Sequence, residues 1–264
     1  MRKVSKAIAA LALAAGAVLF GASRANAENV LDLTTAGSSG TRNGALFETN
    51  TVQPTGSGVI HSFVRISSND AVEQGYNTDG RPLQYDENNS ATFTRSLPVA
   101  DLQIVTKGGV DYYAFLLDIN QKNSAGDSLL NLNDLQVYRG DAPDLLGFTP
   151  GTGFGAHSTL VYNIDVGPDG DSGLLMDYNL NSGSGSGDVW AFIPTAKFTG
   201  TNPYVYLYSK FGVPNPNNDG YEEWAAVVGV HTPSAVPLPA SLWGGLALLG
   251  FLGAAKIRSR RQSA

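Results

Sequence analysis

The sequence predicts an all-β protein: a single β-sandwich or jelly-roll-like domain, flanked by an N-terminal signal peptide and a short C-terminal transmembrane helix. Three observations predict it. Short apolar and aromatic runs recur between clusters of Gly, Asn, Asp and Ser, the punctuation of a chain of strands and turns. Several runs alternate at period two. In PYVYLYSKF, for example, Tyr204, Tyr206 and Tyr208 share one face, and Val205 and Leu207 the other. No long 3.6-residue period occurs outside the two terminal apolar segments.

The first element, residues 1–27, reads as a signal peptide. Arg2, Lys3 and Lys6 precede an apolar run from Ala7 to Ala22, and the segment closes on Ala25-Asn26-Ala27. A charged start, an apolar stretch and a small-x-small site place cleavage between Ala27 and Glu28. The mature domain is expected over residues 28–233. Its opening stretch is rich in Gly, Ser, Thr and Asn, with an edge strand expected near Ala45 to Phe47.

Nine further strands are expected, at 58–67, 100–107, 110–119, 134–140, 158–166, 173–180, 188–194, 203–211 and 222–230. The second and third are joined by a hairpin turning at Lys107-Gly108-Gly109, where glycine permits the positive φ of a tight turn. NSGSGSGD, residues 181–188, reads as a flexible hairpin loop. No fixed-period repeat occurs, which counts against solenoids and propellers.

Charge is partitioned along the chain. The body carries nine of the 17 Lys and Arg and all 23 Asp and Glu, a net charge of −14. Such a body is repelled by nucleic acid and by anionic membrane surfaces. There is no cysteine and there are three histidines. Disulfides, thiol nucleophiles and zinc–thiolate sites are therefore excluded, and the fold must rest on its core or on bound ions.

Three acidic loops offer oxygen ligands for structural calcium. They hold Asp165, Asp169 and Asp171; Asp118, Asn120 and Asp127; and Asn217, Asp219 and Glu222. None has EF-hand spacing, and the same residues are ordinary in β-turns. Glu222-Glu223 beside Trp224 invites a glycosidase reading, but neighbouring strand residues point to opposite faces. No G-x-S-x-G elbow, Walker loop or dinucleotide fingerprint is present, so no catalytic residue is assigned. His61 and His157 read as structural hydrogen-bonding residues. Tyr112, Tyr113, the Tyr204/Tyr206/Tyr208 row and Trp224 serve either a sugar-stacking face or packing.

The last element, residues 234–264, has three parts. Val236-Pro237-Leu238-Pro239 keeps the chain extended. A transmembrane helix follows at about 240–257, with Trp243 suited to an interface. Its uncharged stretch from Ala240 to Ala255 would reach about 24 Å, short of the ~30 Å hydrocarbon core unless flanking cations snorkel. Lys256, Arg258, Arg260 and Arg261 form a basic end expected to stay cytoplasmic.

These parts together resemble a PEP-CTERM sorting domain, with Leu238 where the family usually carries Glu. The resemblance implies an exported protein of a Gram-negative bacterium. It implies the general secretion machinery and an exosortase, a membrane-embedded cysteine transpeptidase or protease, as partners. It also implies transient anchoring in the inner membrane, cutting near Pro237 to Pro239, and a place at the cell surface or in an extracellular exopolysaccharide (biofilm) matrix. The expected function is a non-enzymatic surface or matrix protein. A carbohydrate-binding module and an extracellular glycoside hydrolase are the alternatives.

Overall fold

In the computed structural model, residues 29–51, 61–124, 126–183 and 185–229 are described. The segments expected to form the signal peptide, including its junction at Glu28, and the sorting tail with its transmembrane helix lie outside these residues. Fourteen strands occur among the described residues, against the nine or ten expected. They are β1 (Asn29–Leu33), β2 (Ser39–Arg42), β3 (Ala45–Thr49), β4 (Ser62–Ile66), β5 (Glu73–Tyr76), β6 (Leu97–Pro98) and β7 (Ile104–Lys107). The rest are β8 (Val110–Asp118), β9 (Leu129–Gly140), β10 (Ser158–Asn163), β11 (Ser172–Asp177), β12 (Val189–Pro194), β13 (Tyr204–Phe211) and β14 (Glu222–Ala226).

Two sheets divide these strands. The first runs β1-β11-β9-β13-β5, with β10 also on β9 and β6 also on β13. The second runs β2-β3-β12-β8-β14-β4, with β7 also on β8. All pairs are antiparallel except β1 with β11. The β7–β8 hairpin forms as its glycines require: Lys107 pairs with Val110, and Gly108 and Gly109 take φ of 57° and 80°. The strand at Ala45 is not an edge, because β2 lies outside it. β2 is the sequence SGTR, whose short polar run carries no apolar alternation for a pattern to detect.

Alternation places one face of each sheet against the other. Leu130, Leu132, Leu135 and Val137 of β9, with Val205 and Leu207 of β13, meet Phe115 and Leu117 of β8, Ala191 of β12 and Trp224 of β14 in one apolar cluster. Trp224 is fully buried, and its indole N–H donates to Ser209 Oγ of β13 at 3.1 Å, tying one sheet to the other. A buried indole needs such a partner, since an unpaired donor costs about 1–3 kcal/mol.

The other face of the first sheet carries a second cluster. Tyr76, Tyr138, Tyr206 and Tyr208 pack with Phe148 and Phe154 from the β9–β10 connection. Phe154 meets Tyr206 edge-on at 4.6 Å between centroids, and Phe148 stacks on Tyr208 at 4.8 Å. Tyr206 and Tyr208 are each 1% exposed, so this row is a packed aromatic layer and not a surface ladder.

The layer closes over Gly140, where an added Cβ would come within 2.4 Å of the Tyr206 ring and 2.9 Å of Leu145. Gly140→Ala should therefore cost about 1–3 kcal/mol of unfolding free energy in a urea titration. At Gly229 an added Cβ meets nothing, and Gly229→Ala should leave the midpoint unchanged. Equal midpoints for the two variants would contradict this packing.

Candidate functional site

Of the three acidic loops, the structure brings two together. Asn120 Nδ2 donates to the Tyr221 carbonyl at 3.1 Å, the Lys122 amide to Asn218 Oδ1 at 2.9 Å, and Asn218 Nδ2 to the Asp127 carbonyl at 2.6 Å. The loops after β8 and before β14 thus form one end of the sandwich. The third loop is held against Asn43, in the β2–β3 turn. The Asn43 amide donates to Asp169 Oδ2 at 2.6 Å, and the Asp169 amide returns to Asn43 Oδ1 at 2.9 Å. Asp165 accepts the Ser172 amide at 3.1 Å, and Asp171 follows on the same turn. Among the described residues, no three Asp, Glu or His side chains converge as a metal-ligating group.

Asp118 has a different task. Its two carboxylate oxygens accept the amides of Gly185 and Gly187 at 2.7 and 2.8 Å. Asn50 Nδ2 donates to the Ser186 and Gly187 carbonyls at 3.2 and 3.0 Å. The glycine-rich stretch expected to be a flexible hairpin loop is instead a pinned crossover from β11 in one sheet to β12 in the other.

Between the sheets, at the end where the two loops meet, lie two glutamates that the interior would not be expected to accept. Glu73 of β5 belongs to the first sheet and Glu222 of β14 to the second, and both are fully buried. Glu222 shares the inner face with Trp224, while Glu223 turns outward to Arg65 at 2.6 Å. The adjacent pair therefore diverges as alternation requires.

Glu73 Oε2 accepts the Ser68 amide at 3.1 Å, and Glu222 Oε1 accepts Gln121 Nε2 at 3.2 Å. The remaining oxygens, Glu73 Oε1 and Glu222 Oε2, receive no donor from other residues, and the two carboxyls hydrogen-bond to each other through a shared proton. Burial raises both carboxyls above their ordinary range. For Glu222 the shift is large, and the hydrogen bond and charge of Glu73 add to it, whereas at Glu73 the same hydrogen bond with Glu222 and then the Ser68 amide oppose the shift and the charge of Asp86 adds.

Ser68, Asp70, Asn217 and Asp219 help line a polar cleft of about 240 Å³, whose lining includes neither glutamate. Its wall and the pair share hydrogen bonds. Asn217 Nδ2 donates to the Ser68 carbonyl at 3.1 Å, and Gln121 Nε2 reaches both Asn217 and Glu222.

The outer face of the second sheet carries a row of aromatics of which the sequence reading singled out Tyr112 but not Trp190 or Phe192. Trp190 and Phe192 of β12 stack at 5.9 Å, and Tyr112 of β8 meets Phe192 edge-on at 5.9 Å. Lys107 Nζ stands 4.2 Å over the Phe192 ring and pairs with Glu48. A shallow depression of about 190 Å³, lined by Val105, Ala114, Trp190, Phe192 and Val227, adjoins them. The period-two spacing in VWAFIP was the available signal. Tyr113 turns toward the core and meets Phe198 edge-on at 4.8 Å.

The histidines stand apart from all of this. His61 precedes β4 and is exposed, on a cleft of about 140 Å³ shared with Arg95 and Asp101. His157 contacts Asp141 at 2.9 Å on the surface. Comparison with protein-family models, curated proteins and solved structures found no match, so the arrangement is read from its own chemistry.

Buried acids give the domain a definite pH response. Asp134 is the clearest: burial first, and then the charge of Asp165, push its carboxyl up to about 7, against the Gln136 hydrogen bond that lowers it. The folded state holds this proton more tightly than the unfolded chain. Its contribution to stability is full below the ordinary value of 3.8 and is lost as pH rises through about 7. Urea midpoints measured across that window should fall less steeply for Asp134→Asn than for the wild type. Parallel slopes would contradict the assignment.

Proposed function

We propose that this chain is an exported, non-enzymatic surface or extracellular-matrix protein, with residues 1–27 as its export signal and 234–264 as a sorting tail read by an exosortase. The observation that carries the reading is the three-part tail: Val236-Pro237-Leu238-Pro239, the apolar run and the Lys256 to Arg261 cations. The body agrees with it in kind. Two sheets around one apolar interior, without cysteine and with a net charge of −14, suit life outside the cytoplasm without disulfides. Association with an exopolysaccharide or biofilm matrix belongs to this proposal.

A second reading, carbohydrate binding, is favoured by one specific observation: half-buried Trp190 and Tyr112 on the outer face of the second sheet, with buried Phe192 packed between them. Sugar rings offer apolar C–H faces to such a platform, and Glu48 and Lys107 at its edge supply hydrogen-bonding groups.

Intact mass of the native protein, taken from membrane, surface and medium fractions, tests the first reading. A chain starting at Glu28 and ending near Pro237 to Pro239 is expected. A membrane-bound chain still ending at Ala264 would overturn sorting. For the second reading, Trp190→Ala should weaken retention on exopolysaccharide by roughly 2- to 10-fold, the scale of the ~0.5–1.5 kcal/mol of one aromatic contact. Unchanged retention would remove that face from consideration.

A further inference from the structure

The Glu73–Glu222 pair joins the two sheets at one end of the sandwich. Glu73 opens β5, a four-residue strand at the edge of the first sheet, and Glu222 opens β14, inside the second. Both side chains are fully buried. Each spends one oxygen on a neutral donor, the Ser68 amide for Glu73 and Gln121 Nε2 for Glu222. The other two oxygens meet in the carboxyl–carboxyl hydrogen bond. That bond exists only while the pair holds a proton, because two carboxylates offer acceptors and no donor.

No cation takes the proton's place. The three ion pairs among the described residues leave out both glutamates. Arg65 of β4 is committed to Glu223, on the other face of β14. Lys210 of β13 stands opposite Gln74 and acts on Asp134 of β9, and Lys122, on the loop after β8, is exposed. The remaining charged neighbours are acids. Asp118 of β8 is held by the Gly185 and Gly187 amides, Glu87 accepts the Tyr76 and Tyr85 amides, and Asp86 acts on Glu73. Asp70 and Asp219 lie on the polar cleft. Without its proton, the pair would be two buried like charges with no counter-charge, a strongly unfavourable arrangement.

The polar cleft is built on the same two strands. One wall, residues 67–70, runs into β5, and the other, residues 217–220, runs into β14. Neutral hydrogen bonds lace the walls, from the Asn217 amide to the Ala71 carbonyl at 3.0 Å and from Asn217 Nδ2 to the Ser68 carbonyl at 3.1 Å.

We propose that the Glu73–Glu222 pair is a proton-held latch: with its shared proton it ties β5 to β14 and holds the cleft walls together, and on losing that proton it lets this end part while the common core stays folded. The core does not depend on the proton, because the next cross-sheet contact along β14 is the neutral Trp224–Ser209 bond. Burial keeps the pair protonated above the ordinary glutamate value of 4.5. The latch is therefore at full strength below 4.5, weakens as pH rises, and levels off once the closed pair has titrated. The inference concerns the folded body and stands apart from the sorting proposal, whose test reads the two termini.

Hydrogen exchange of the full chain between about pH 5 and about pH 9, corrected for the intrinsic effect of pH, tests the latch. Protection of the Ser68, Lys122 and Asn217 amides should fall about tenfold for each pH unit until it levels off. Their exchange at high pH should show little denaturant dependence, as local opening does, while β9 and β12 keep that of global unfolding. Glu73→Gln/Glu222→Gln, which keeps both shapes and removes both titrating groups, should make the profile flat. The wild type offers a second readout that needs no variant. By carbon NMR the two carboxyls should share one titration step above 4.5, ending where protection levels off. Carboxyls that titrate at the ordinary value, or the same pH profile in wild type and double variant, would overturn the latch. So would a loss of protection at these amides carrying the full denaturant dependence of β9 and β12, which would make the proton a property of the whole fold.

Discussion

One contact holds the body together: the inner face of the β9–β13 sheet against the inner face of the β8–β12–β14 sheet. No covalent link supplements it, because the chain has no cysteine. Burying a Leu, Phe or Val side chain there is worth about 1.5–3 kcal/mol, most of it spent against the entropy of ordering the chain. The chain crosses between the sheets repeatedly, as from β8 to β9 and from β11 through β12 to β13. Neither sheet can bury its apolar face until strands from both halves of the sequence are in place.

That geometry explains where the unusual side chains sit. At one end of the interior, the cross-sheet contact is made by Trp224 and Ser209 in a neutral hydrogen bond. Two residues along β14, the same inner face carries Glu222 toward Glu73, and the contact becomes a hydrogen-bonded pair of carboxyls. The sheets' outer faces diverge in the same way. On the first, the β9–β10 connection folds Phe148 and Phe154 over the tyrosine row and dries it. On the second, Phe192 is buried under Lys107 while Trp190 stays partly open to solvent.

Much of this was legible in the sequence where the signal was local. Alternation located β8, β12 and β13, Gly108-Gly109 located the hairpin, and Glu222 and Glu223 were separated by parity alone. Parity assigns residues to two faces and says nothing of which face is wet. That is why Tyr206 and Tyr208 remained open between a ladder and a core. β1, β2, β5 and β6 were illegible because they are short; β1 and β2 lie largely exposed, and β5 is buried by its neighbours more than by its own apolarity. β5 is EQGY, with its Glu fully buried. Asp118 was legible as an oxygen donor, but its use, anchoring Gly185 and Gly187, depends on a loop far along the chain.

The shared interior is the claim on which the rest stands, and native-state hydrogen exchange of the body tests it most directly. Amides of β9 and β13 in one sheet, and of β8 and β12 in the other, should exchange only through one common global opening with one denaturant dependence. If the two sheets instead exchanged as separate units of different stability, the sandwich would not have a single cooperative core, and this account of how its faces and its charged end are positioned would fail.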